Sequence, residues 1–165
     1  MNPCKCGYYP DMQRCTCTER EIHGYLHRIS RPLLDRMDLS AEMSRIPFEE
    51  LWKKEREEAQ EEDSASIRSR VEMVQKLQLR RYEGTPYRFN GDLDSAGVQK
   101  YCVLGAEEEK ILEGMYRKFS LTARSCHRLL KVARTLADMD ESEKIRKKHL
   151  AEAAAFRAAD EKYWG

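Results

Sequence analysis

Residues 121–139 read "LTARSCHRLLKVARTLADM", and this stretch decides the fold. Thr122 supplies a side-chain oxygen of the kind that caps a helix start. Leu129, Leu130, Ala133, Leu136 and Ala137 then recur at helical spacing, so one face of a long helix is apolar and needs partners.

The flanking sequence provides them. Downstream, an Ala-rich helix is expected from about Lys147 to Ala159, carrying Leu150, Ala153, Ala154 and Phe156. Upstream, Ile111, Leu112, Met115, Tyr116 and Phe119 mark another helix, and a short one is expected near residues 93–101. "YEGTPYRFNGD" (82–92) reads as a loop. Ile67, Val71, Val74 and Leu77 mark an amphipathic helix of about four turns. Residues 64–165 therefore read as a small helical domain, and the chain as mainly α. Before it, "EELWKKEREEAQEED" (49–63) is dense in charge, and residues 47–63 are read as a solvated connector.

Residues 1–46 have a different texture. Pro3, Gly7, Pro10 and Asp11 give the first 17 residues the character of a loop. "TEREIHGYLHRIS" then starts a helix, with Thr18 and Glu21 as a capping box and Ile22, Tyr25, Leu26 and Ile29 on one face. Pro32 interrupts it, and "PLLDRMD" reads as one short turn. "LSAEMSRI" alternates through Leu39, Ala41 and Met43, which predicts one short strand.

The chain has 165 residues, 36% of them charged, with a net charge of +1. Overall charge therefore gives no argument for a nucleic-acid partner, which leaves local patches to supply one. No apolar run approaches the roughly 18 residues that span a bilayer, and no basic-then-apolar leader opens the sequence. The expectation is a soluble cytoplasmic protein, in which six cysteines do not form a disulfide framework.

Four of those cysteines open the chain as two Cys-x-Cys pairs, Cys4/Cys6 and Cys15/Cys17. Four thiolates complete a tetrahedral shell around a structural zinc ion and leave no open catalytic position. Free thiols and redox chemistry stay open as alternatives, because C-x2-C is the commoner knuckle. Cys102 and Cys126 read as small buried hydrophobes. His23, His27, His127 and His149 read as polar helix-face residues. The basic helix "SIRSRVEMVQKLQLRR" reads as a solvated face ahead of a nucleic-acid contact. No GxxxxGK[ST] phosphate loop occurs in the sequence.

"MNPCKCGYY", "ISRPLLDRMDL" and "LTARSCHRLLKVARTLADM…HLAEAAAFR", with "SIRSRV" and "DEKYW", resemble in order and spacing the Mg-chelatase-like AAA+ ATPases of the ComM/YifB type. The resemblance runs from Met1 to Trp164. It implies that residues 1–46 are a short α/β remnant of the ATPase core and that 64–165 form the helical lid. It also implies that the intact protein is a ring-shaped ATPase engaged in DNA processing, competence or recombination, with self-association and DNA as its partners. Asn2 matches the sensor-1 residue, Arg36 in "LLDR" the arginine finger, and Arg124 in "TAR" the sensor-2 residue of the lid. The family's Ser-Gly-Pro is Ser30-Arg31-Pro32 here. The segments that would hold ATP and Mg²⁺ are missing, so Met1 reads as an internal methionine of a longer protein and the chain alone as inactive. The other class of function weighed is a zinc-stapled helical interaction module with no nucleotide role.

Overall fold

The computed structural model describes residues 2–43, 46, 48, 62–157 and 162–164. The regular elements among them are helices, as the mainly α reading expects. They are α1 (Glu19–Leu26), α2 (Arg31–Leu34), α3 (Ser64–Arg81), a 3-10 turn (Asn90–Asp92), α4 (Ser95–Tyr101), α5 (Ala106–Lys118), α6 (Ala123–Met139) and α7 (Lys147–Ala155). The chain forms two compact units: Met1–Ala41 together with Ala154–Gly165, and Glu42–Ala153. Of the connector read at 47–63, all but Phe48, Glu62 and Asp63 lies outside the described residues.

In the first unit, α1 starts where Thr18 accepts the Glu21 N–H and Glu21 reaches back to the Thr18 N–H, the reciprocal cap read from the sequence. Ile22 and Leu26, one turn apart, are buried. α2 is a single turn, and it buries Leu34. The strand expected through Leu39–Met43 is not present. A strand needs a neighbour for its ladder of hydrogen bonds, and residues 39–43 have none among the described residues. Instead the Ser40 N–H and hydroxyl both donate to the Phe156 carbonyl, at 2.9 and 2.7 Å.

In the second unit, α3 and α4 each pack against α6. The α6 face expected from sequence is buried at Leu129, Leu130, Ala133 and Ala137, with Thr122 capping its start. α3 differs from expectation. Its buried positions are Val74 and Gln78, whereas Ile67 and Val71 stay 43% and 46% exposed. Nothing among the described residues covers that first half of the helix. α5 is shallower than its apolar stripe suggests, and none of its residues is fully buried. α5 and α6 both stop in the same way. Leu121 N–H returns to Tyr116 O, and Ser142 N–H to Ala137 O. The turning residues, Ser120 (φ 46°) and Glu141 (φ 52°), sit in the left-handed region that favours glycine.

One carboxylate organises the interior of this unit. Asp138 is 1% exposed. It accepts both terminal nitrogens of Arg81, the Nε–H of Arg134 at 3.1 Å and the Asn90 amide at 2.8 Å. Arg134 also donates to the carbonyls of Glu143 and Ser142, at 2.7 and 2.6 Å, which pins the α6–α7 turn. Asn90 is held by Tyr82, whose hydroxyl donates to its Oδ1 at 2.6 Å, and its own N–H donates to Gln78. The 82–92 loop is therefore fixed from inside. Burial alone would raise the Asp138 carboxyl, but the Arg81 and Asn90 bonds and the Arg134 charge hold it below the usual carboxylate range.

Two substitutions test this arrangement by denaturant unfolding. Asp138→Ala should cost about 3–5 kcal/mol, because it strands the buried Arg134 guanidinium and removes the main partner of the half-buried Arg81. Glu141→Gly should gain about 1 kcal/mol by removing left-handed strain. Because the folded carboxyl titrates low, the stability that Asp138 confers is complete above the ordinary carboxylate range. It is lost as pH falls below that range. A neutral effect of Asp138→Ala would contradict the arrangement.

Candidate metal centre

The loop of residues 2–17 turns back on itself and brings its two Cys-x-Cys pairs together. Gly7 takes φ +79°, and a Cβ there would stand 3.2 Å from the Asn2 side-chain nitrogen, so both the backbone angle and the space favour glycine. Gly7 N–H donates to Cys4 O, Asp11 N–H to Tyr8 O and Cys15 N–H to Asp11 O, closing three successive turns. The sulfur of Cys4 lies 3.3 Å from that of Cys6 and 3.8 Å from that of Cys15, and Cys6 is 3.6 Å from Cys15. One donor atom from each of Cys4, Cys6, Cys15 and Cys17 falls within 4.8 Å of the others. Cys4 is fully buried and the other three are half-buried.

Around these sulfurs the backbone presents N–H groups. Tyr9 N–H donates to Cys4 Sγ at 3.4 Å. Burial works against ionisation of Cys4, yet the Tyr9 amide and its neighbour lower it. The Tyr8 amide does most to bring Cys6 down to about 6, against some burial. The other pair moves the opposite way. The Cys17 amide favours the Cys15 thiolate, but burial and the Cys6 and Cys4 sulfurs outweigh it and push Cys15 up to about 12. Cys17 is likewise raised, its favourable backbone bond overcome by burial and the same two sulfurs. The cluster is therefore split, with Cys4 and Cys6 shifted toward the thiolate and Cys15 and Cys17 toward the thiol. Only a cation can bring all four sulfurs to the thiolate form at this spacing, which is what a metal-thiolate centre does.

A hydrophobic cluster backs the sulfurs. Cys4, Ile22 and Leu26 form its buried part, and Cys6, Tyr9, Cys15, Cys17, Tyr163 and Trp164 pack on it. Tyr163 and Trp164 come from a segment more than 130 positions away, and no local sequence pattern announces that contact.

The other candidate residues stand apart from this centre in chemistry. Asn2 is exposed and lies against Gly7 of the cysteine loop. Arg36 is exposed just after α2, its N–H bonded to Leu33 O. Arg124 is exposed in the first turn of α6. Cys102 is buried as expected, which pushes its thiol up to about 11, and Cys126 is half-buried. His23 on α1 and His27 at its C-terminal cap are exposed. His149 departs from the helix-face reading, being fully buried. Its Nδ1 accepts the Arg146 N–H at 3.0 Å, so it closes the start of α7 from inside, and its Nε2 meets Asp140 Oδ2 at 3.0 Å.

Two family models match the chain in sequence order. One for magnesium chelatase, subunit ChlI, matches residues 1–51, and one for the C-terminal part of that subunit matches residues 61–157. The uncharacterized protein YifB of Escherichia coli is 38% identical over 97% of this chain and 30% of its own length. The competence protein ComM of Haemophilus influenzae is 35% identical over 96% of this chain and 30% of its own. The uncharacterized protein Rv2897c of Mycobacterium tuberculosis is 28% identical over 84% of this chain. The chain thus spans about 30% of the length of the first curated relatives it matches.

Thiol reactivity reports the charge split directly. In metal-free protein near neutral pH, iodoacetamide should modify Cys6 first and the buried, raised Cys102 last, as read by peptide mass spectrometry. Modification of Cys15 ahead of Cys6 would contradict the arrangement of N–H donors described above.

Proposed function

The chain belongs to the magnesium chelatase subunit ChlI family, and from that membership we propose that it is the part of an AAA+ ATPase that follows the phosphate-binding loop. The intact protein would bind and hydrolyse ATP as a self-associated ring and act in DNA processing. One relative is a competence protein by name, which supports that last step. The observation that carries the reading is the ordered match of both family models, over residues 1–51 and then 61–157.

Three residues have the chemistry their proposed roles require. The Asn2 amide would orient the attacking water or meet the departing γ-phosphate. Arg36 would reach a neighbouring subunit's nucleotide, where a planar guanidinium matches the charge spread over the transferring phosphoryl oxygens. Its exposure after α2 leaves it accessible to such a partner. Arg124, in the first turn of a 17-residue helix, sits where backbone N–H groups and the helix dipole also favour an anion. It would couple nucleotide state to the position of the helical unit.

Cys4, Cys6, Cys15 and Cys17 would hold one structural zinc ion. A tetrahedron with Zn–S bonds of about 2.3 Å has sulfurs about 3.8 Å apart. The Cys4, Cys6 and Cys15 sulfurs, 3.3–3.8 Å apart, are within half an ångström of that edge, and all four lie within 4.8 Å of one another. With four protein ligands the shell is closed. Such a zinc supports the fold and takes no part in ATP chemistry.

Turnover measurements test the nucleotide roles. The 165-residue chain alone should show no ATP hydrolysis, since its sequence contains no GxxxxGK[ST] phosphate loop. In a polypeptide that joins it to a relative's phosphate-binding half, Arg36→Ala should lower turnover by about 10³-fold or more while sparing nucleotide affinity. Mixing Arg36→Ala subunits with subunits lacking the phosphate-loop lysine should restore part of the rate. Unimpaired turnover in the Arg36→Ala protein would remove the finger assignment.

A further inference from the structure

The segment after α7 returns to the cysteine loop. Trp164 Nε1–H donates to the Leu26 carbonyl at 2.9 Å, at the end of α1 where helix carbonyls lack intrahelical partners. Tyr163 meets Tyr9 edge-on with ring centroids 6.3 Å apart, and Trp164 lies edge-on to Tyr163 at 5.9 Å. Both rings pack on the cluster of Cys4, Ile22 and Leu26.

Tyr9 is the link. Its backbone N–H donates to Cys4 Sγ, and its side chain faces Tyr163. A continuous path therefore runs from the most buried sulfur through one residue to the aromatic pair and on to the end of α1. Groups that orient a metal's ligands and exclude water from them govern how firmly the metal is held. Cys4 is 0% exposed, and Tyr9, Tyr163 and Trp164 are among the side chains packed on its cluster.

We propose that Tyr9, Tyr163 and Trp164 are positioning residues of the thiol centre: they hold the Cys4 side closed, and the 162–164 segment stays docked only while the centre is metal-loaded. The proposal rests on zinc occupancy of the four cysteines. It adds a specific consequence, that metal retention and docking of a segment distant in sequence are one equilibrium. By reciprocity, whatever pulls the aromatic pair away also weakens the metal.

The full chain tests this with Trp52→Phe as background, leaving Trp164 as the sole tryptophan of the two in the sequence. Zinc-loaded protein is challenged with the chromogenic chelator 4-(2-pyridylazo)resorcinol, and release is followed by absorbance. Tyr9→Ala and Trp164→Ala should release zinc about 10–100-fold faster. Tyr9→Phe should keep the parent rate, because the ring and the amide are retained. Trp164→Phe should fall between, having lost the N–H bond but kept most of the packing. Trp164 emission in the background protein should shift to the red on zinc removal and return on zinc addition. Zinc uptake with release rates unchanged in Tyr9→Ala and Trp164→Ala, or a Trp164 emission blind to zinc, would overturn this proposal alone. Failure to take up any zinc would overturn the reading beneath it and the proposal together.

Discussion

Four sulfur atoms held within 4.8 Å of one another are the constraint on which the first unit depends. Among the described residues that unit buries few large apolar side chains: Ile22, Leu26 and Leu34, with the Cys4 thiol among them. Such a core supplies too little transfer free energy to offset the ordering of some fifty residues, and small units of this kind need a staple. The thiol cluster lies where a staple acts most effectively. It closes a loop of turns, rests on the buried face of α1 and meets the aromatic segment that follows α7. A structural metal there would stabilise the folded state directly, since the unfolded chain presents no preformed site.

The second unit has a larger apolar core, with Leu93, Leu129, Ile145 and Leu150 buried, and adds charge to it. Its helices are short or partly exposed, and the 82–92 loop has no regular backbone ladder except one 3-10 turn. Asp138 replaces that ladder by gathering Arg81, Arg134 and Asn90, while Arg134 reaches on to the turn beyond α6. A buried carboxylate is costly unless fully matched. Here its partners fix helix, loop and turn against one another, so the network specifies geometry more than it adds net stability. His149 plays a smaller version of the same part at the start of α7.

The sequence made visible what depends on near neighbours. The Thr18–Glu21 cap, the Thr122 cap and the buried face of α6 follow from residues three or four apart, and all are present. The clustering of the thiols was legible from two close pairs and a turn-rich loop between them. The helical class was also legible in the resemblance, which the family models bear out. What depended on distant partners was not. The alternation at Leu39–Met43 has strand periodicity, but periodicity cannot show whether a neighbouring strand exists. Ile67 and Val71 fit a buried stripe whose partner is not found among the described residues. Nothing in the near sequence sets Asp138 apart from an exposed residue close to a helix end. Only its place beside Ala137 on the apolar face, four residues after Arg134, hinted at a buried pair. Trp164 gave no sign that its indole would cap a helix 138 residues earlier.

Both units thus place polar chemistry inside their cores, and the cysteine centre is the more exacting case because its four sulfurs cannot all ionise without a cation. Metal content measured alongside thiol accessibility tests this most directly. Purified protein analysed by inductively coupled plasma mass spectrometry should contain about one zinc per chain. Its four N-terminal thiols should resist native titration until a strong chelator is added. Protein with no bound metal after purification and zinc exposure, and with Cys4, Cys6, Cys15 and Cys17 all freely titratable while folded, would contradict it.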